Sequence, residues 1–237
     1  MHNRVTVSEK NIDKQGDNGM KKVITKCLAF IMAILLAISI PTLPYKVQAA
    51  TAKTQALKAY NKLLSQKTIP WGNNLYYTAV PADTLSFTTA YIDNDSVPEL
   101  IIMSSAVRQQ AGFALLYTYK NGKIQFVSNI DMNGDLYYYK KKGILIDRYV
   151  HRTEVDKYMK FSGTKLTQKL SFNTSTTGVK SYYKFFKSNI RPDDSKEISK
   201  TQFAKEVKKL TGGSKKSKIA MGALKKNTNI NRTKYLK

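Results

Sequence analysis

The residues best suited to chemistry lie in one short stretch, Tyr91-Ile92-Asp93-Asn94-Asp95-Ser96-Val97-Pro98-Glu99. Alternating carboxylates on a tight turn suit calcium, which takes six to eight oxygens at about 2.3–2.6 Å. Asp93, Asp95 and Glu99 are the carboxylates on offer. The same segment also reads as a polar turn between two strands, with Pro98 opening the second strand and Glu99 capping the turn through backbone N–H groups. Asp131-Met132-Asn133-Gly134-Asp135 repeats the alternation, but its glycine is misplaced and no acid follows where a bidentate ligand would stand. A hairpin turn is expected there.

Catalytic groups are scarce. His151 lies among Asp147, Arg148, Arg152 and Glu154 near the end of an expected strand, and no nucleophile motif accompanies it. The chain has no G-x-S-x-G, no H-E-x-x-H and no glycine-rich phosphate loop. Acid pairs of the glycosidase kind are set by spatial proximity and stay open. The balance leans against an enzyme.

Positive charge is the other prominent feature. The 237 residues carry 40 Lys+Arg against 16 Asp+Glu, a formal +24. Residues 50–130 hold seven bases and four acids, whereas residues 131–237 hold 26 and nine. A field this positive draws polyanions by releasing their counterions. Three runs stand out: Lys140-Lys141-Lys142, Lys208-Lys209, and Lys215-Lys216 with Lys218. Solvation alone also explains any single run. Lysine far exceeds arginine, which favours diffuse attraction over bidentate phosphate recognition. Tyr137-Tyr138-Tyr139 and Tyr182-Tyr183 place successive rings on opposite faces of a strand, and with Trp71 these could stack on sugars or simply cover a sheet.

The elements that must position these groups follow from periodicity. Residues 20–49 have the form of a secretory signal peptide: a basic start at Lys21-Lys22, the apolar run 27–40, Pro41 and Pro44, then the small-residue stretch Val47-Gln48-Ala49-Ala50 with cleavage expected after Ala49. The 14-residue run would make a helix of about 21 Å, short of a bilayer core of about 30 Å. No transmembrane anchor is expected after cleavage, and Cys27 leaves with the signal, so residues 50–237 contain no thiol. Residues 1–19 are polar and precede a complete signal start, so Met20 is read as the initiator and 1–19 as upstream sequence.

Residues 50–237 are expected to form a single α+β domain. Ala56, Leu57, Tyr60, Leu63 and Leu64 fall at helical spacing, giving a helix over 51–66. Nine short β-branched and aromatic runs between 85 and 187 predict an antiparallel meander of eight or nine strands, and Asn121-Gly122 is its sharpest hairpin signal. The basic part 196–237 is expected to be helical, in one or two helices. Ser199 and Gln202 match a capping box, Ile198 can staple onto Phe203, and Gly212-Gly213 stops the helix.

The stretch from Ala90 through Ile102, with Asp93, Asp95, Pro98, Glu99, Leu100 and Ile101, resembles the D-x-D-x-D-G-x-P-E-L-I loop of uncharacterised secreted proteins of clostridia-like Gram-positive bacteria, similar in turn to EF-hand and FG-GAP calcium loops. The hairpin around Asn121-Gly122, the Tyr137–Gly143 run and the closing Asn227-Thr228 and Asn231-Arg232 extend the likeness. It implies secretion and a β-rich core with flanking helices. On that alignment Asp93 and Asp95 match the second and third loop carboxylates, Val97 the carbonyl donor and Glu99 the later acid. Tyr91 stands where the first Asp belongs and Ser96 replaces the turn glycine, so calcium binding is expected to be weak or absent.

The function expected from all this is a secreted, non-enzymatic protein held at the cell envelope by anionic wall or surface polymers or acidic glycans. No specific nucleic acid is expected. Alternatives are an exported wall-polymer hydrolase using Asp93, Asp95 or Glu99, and a carbohydrate-binding module using Trp71 and exposed tyrosines.

Overall fold

The computed structural model describes residues 45–70, 79–104, 112–132, 134–150, 152–186, 194–219 and 224–237, all within the unit Tyr45–Lys237. The expectations placed on residues 1–44, Trp71 and His151 lie outside them.

The chain folds as a strand-rich α+β protein. Helix α1 (Tyr45–Leu64) begins directly after Pro44 and ends at Leu64, so it starts earlier than the apolar stripe alone predicts. The stripe is the one expected: Ala56, Leu57, Tyr60, Leu63 and Leu64 are buried. A small ribbon of β1 (Thr68–Pro70) and β2 (Ala79–Pro81) follows. Next come β3 (Leu85–Ala90), β4 (Glu99–Ser104), β5 (Gly112–Lys120) and β6 (Lys123–Met132), in which β4, β5 and β6 each pair antiparallel with the strand before. A second series of hairpins runs through β7 (Gly134–Tyr139), β8 (Ile144–Val150), β9 (Glu154–Ser162), β10 (Lys165–Thr174) and β11 (Lys180–Phe185).

The meander therefore divides. β3 to β6 belong to a five-stranded sheet and β7 to β11 to a seven-stranded one. Asp131–Asp135 spans the crossing between sheets, not a hairpin: Met132 ends β6 in one sheet and Gly134 opens β7 in the other. The C-terminal part is also less helical than expected. Helix α2 (Lys200–Thr211) and helix α3 (Asn229–Tyr235) are present, but β12 (Ser195–Glu197), β13 (Ser217–Ile219) and β14 (Lys225–Lys226) surround them. These short strands cap three of the four edges of the two sheets by pairing with β11, β7 and β3, and β6 forms the fourth edge. Edge closure by brief, lysine-bearing strands limits unpaired backbone.

Alternation along each strand builds four layers. Leu85, Phe87, Leu100, Ile102, Leu115 and Tyr117 meet α1 on one face of the five-stranded sheet. Ile101, Met103, Ala114, Leu116 and Ile130 on its other face meet Leu136, Leu145 and Phe161 of the seven-stranded sheet. On the far side Tyr139, Ile144, Ile146, Tyr158 and Leu170 pack against Phe203 of α2. Strands covered on both faces carry consecutive apolar residues, as in Leu100-Ile101-Ile102-Met103 and Ile144-Leu145-Ile146, because each face has its own partner layer. The capping box at α2 is complete: Gln202 N–H donates to Ser199 Oγ, and Ser199 N–H donates to Gln202 Oε1. Gly212 ends the helix at φ +61°.

Candidate functional site

The acidic loop connects β3 to β4 and stands at one end of the interface between the two sheets. Asp95 N–H donates to Asp93 Oδ1 at 3.0 Å, and Val97 N–H donates to Asp95 Oδ1 at 2.8 Å. These are Asx-type turns, in which short acidic side chains satisfy backbone donors that no ladder reaches. Val97 turns its side chain into the core beneath α1. Tyr60 of α1 donates its phenol hydrogen to the Pro98 carbonyl at 3.0 Å, fixing the end of the loop.

Glu99 opens β4 with its side chain on the face toward the second sheet, and it is fully buried. Ile92 N–H donates to its Oε2 at 2.9 Å, and Thr118 of β5 donates its hydroxyl to Oε1 at 3.4 Å. Burial pushes the carboxyl up to about 8; the Ile92 N–H opposes that shift, and the neighbouring charges of Asp93 and Asp95 add to it. Burial likewise raises Asp95, with the Val97 N–H working against it.

Sequence reasoning missed Lys120. It ends β5 two residues beyond Thr118, so the strand's period of two puts it on the same face as Glu99's partner. Its ammonium donates to Asp93 Oδ2 at 3.1 Å and lies 3.5 Å from Asp95 Oδ2. It also stands 6.0 Å from the centre of the Phe161 ring. Burial alone would lower the lysine, but its bonds to Asp93 and Asp95 carry it above the ordinary range.

Asp93, Asp95 and Glu99 do converge, each with a carboxylate oxygen within 4.8 Å of the others. They nevertheless do not fit calcium as arranged. Each of the six carboxylate oxygens already faces a backbone N–H, the Thr118 hydroxyl or the Lys120 ammonium. An ion that needs six to eight oxygens would have to displace a lysine that already supplies positive charge.

The loop also grips the second sheet. Lys141 N–H donates to the Tyr91 carbonyl at 2.9 Å, and Gly143 N–H donates to the Ile92 carbonyl at 2.7 Å. The Lys141 ammonium stands 5.9 Å from the centre of the Tyr91 ring. Gly143 has φ +65°, and a Cβ there would fall 2.7 Å from the Phe161 carbonyl, so the turn needs glycine.

That turn carries the first lysine run, and the fold brings the second run to it. Lys142 Nζ lies 3.5 Å from where a Cβ on Gly212 would stand, so the β7–β8 turn abuts the end of α2, whose last turn holds Lys208 and Lys209. Lys140, Lys142, Lys208, Lys209 and Lys215 are exposed, and among the described residues none of them is paired with a carboxylate. The third run is partly spent within the protein. Lys216 lies 4.6 Å from the centre of the half-buried Tyr137 ring, and Lys218 bonds Asp135 at 2.8 Å.

Compared with known protein families, curated proteins and solved structures, the chain matches none.

Of the tyrosine sets, Tyr139 is buried, Tyr138 faces the inter-sheet core and Tyr182 packs on Phe203. Tyr183 lines an open cavity of about 230 Å³ at the end of the seven-stranded sheet, together with Thr153, Asn173, Thr174, Ser175 and Ser181. Two features thus stand apart: an exposed lysine surface, and a neutral cleft in which Val155 and Val179 lie among the hydroxyl groups.

Proposed function

We propose that this protein is an exported, non-enzymatic protein that attaches to anionic polymers of the cell envelope. The surface that does so joins the β7–β8 turn (Lys140, Lys141, Lys142), the last turn of α2 (Lys208, Lys209) and Lys215. The observation that carries the reading is the approach of Lys142 to Gly212, which sets the lysine-bearing β7–β8 turn against the helix end that carries Lys208 and Lys209, all exposed and without carboxylate partners among the described residues. Ammonium groups on flexible stems suit irregular phosphate and carboxylate polymers, which offer charge density without fixed geometry. Export rests on the signal-like segment 20–49.

One phosphate contact from each of these six lysines, at about 0.7 counterions each, predicts about 300-fold weaker binding as salt rises from roughly 50 to 200 mM. Sedimentation with isolated cell walls over that range tests it. Joint replacement of Lys142, Lys208 and Lys209 by Glu should abolish sedimentation at low salt. Binding that ignores salt, or survives the triple reversal, refutes the reading. A second reading, a sugar-binding module, draws on the Tyr183 cleft. It predicts wall binding that salt leaves unchanged, because ring stacking and hydroxyl bonds release no counterions.

A further inference from the structure

We propose that Lys120 is a tethered counter-cation that does in the 91–99 loop what a bound divalent ion would do, and that it thereby positions the lysine-bearing β7–β8 turn. The loop gathers three acids, and the ammonium bridges the two outer ones, Asp93 and Asp95, from a strand that also supplies Thr118 to the third. A divalent ion in such a loop neutralises repelling carboxylates and holds the backbone curved around them. Here one positive charge bridges Asp93 and Asp95, and the curve is completed by the Asp95 and Val97 N–H groups.

The consequence reaches across the sheet interface. The carbonyls of Tyr91 and Ile92, at the start of this loop, receive the Lys141 and Gly143 N–H groups. Lys120 stands beside Phe161, whose N–H donates to the Gly143 carbonyl at 2.7 Å. The ammonium, the acidic loop and the turn therefore form one continuous set of contacts. Without the charge, Asp93 and Asp95 repel and the loop opens, which frees the turn. The tethering stands independently of the polyanion reading and bears on it only because the turn presents Lys140, Lys141 and Lys142.

The test compares the wild-type chain, K120R and K120Q in millimolar calcium and in chelator, by thermal melting and by amide hydrogen exchange. The wild type should melt at the same temperature in both. K120R should behave like the wild type. K120Q should melt about 5 °C lower in chelator, with Lys141 and Gly143 amides exchanging about tenfold faster, and calcium should restore both properties by entering the space the ammonium leaves. If K120Q folds poorly, the neutral combination K120Q/D93N/D95N decides: it should recover the lost stability, because the repelling charges go with the lysine. Calcium stabilisation of the wild type, a K120Q that melts like the wild type, a K120Q indifferent to calcium, or a neutral combination that stays unstable would each overturn the proposal. Because neither readout involves a polyanion, loss of wall binding alone would count against the proposed function and not against this role of Lys120.

Discussion

Replacing Glu99 with Gln should stabilise the protein at and above neutral pH and flatten its response to pH. Glu99 is fully buried, and its carboxyl is pushed from its ordinary 4.5 up to about 8, chiefly by that burial. The unfolded chain ionises this group near 4.5 while the folded chain keeps the proton, so unfolding releases a proton between those values. Stability is therefore fully present below about 4.5, declines as pH rises toward about 8, and levels off above it. At about 1.4 kcal/mol per tenfold, the interval bounds the effect at about 5 kcal/mol, of which about 3 kcal/mol falls between roughly pH 5.5 and 8. The amide keeps the shape of the protonated acid: its carbonyl accepts the Ile92 N–H, and its NH2 faces the Thr118 hydroxyl, which can accept. Urea unfolding of both proteins across that range is the assay. The wild type should lose about 3 kcal/mol relative to E99Q as pH rises. Parallel stability profiles, or an E99Q protein less stable than wild type at about pH 8, would refute the reasoning.

The remaining predictions concern the elements that hold the site. Gly143→Ala forces a side chain into a left-handed turn and against the Phe161 carbonyl, so thermal melting should show a loss of at least about 2 kcal/mol. Phe203→Ala removes the ring that meets Tyr158 edge-on at 5.6 Å and Tyr182 at 5.1 Å, and should cost about 3 kcal/mol in urea unfolding with an unchanged m-value.

Much of the architecture was legible because its signals are local. The apolar stripe of α1, the Asn121-Gly122 turn with both residues at positive φ, and the Ser199–Gln202 capping box each need only neighbouring residues to be recognised. All nine expected strand runs are strands. The five strands not anticipated span two or three residues each, too few for an alternating pattern to show. For the site, the segment was legible and its chemistry was not. Asp93, Asp95 and Glu99 stand out by spacing, whereas Lys120 is an ordinary strand-end lysine until register sets Tyr117 opposite Leu100 and thereby turns Thr118 and Lys120 toward the acids.

By itself the sequence determined which faces are apolar, where turns fall and that the back half is strongly basic, since period, turn chemistry and charge reside in single residues and their near neighbours. Tertiary structure alone decided that the meander splits after Met132 into two sheets packed face to face, that Lys120 pairs with Asp93 and Asp95, and that Lys142 meets the end of α2 at Gly212. Each of these depends on which apolar face finds which partner. Periodicity marks a face for burial, but only the packing of four layers says what lies against it.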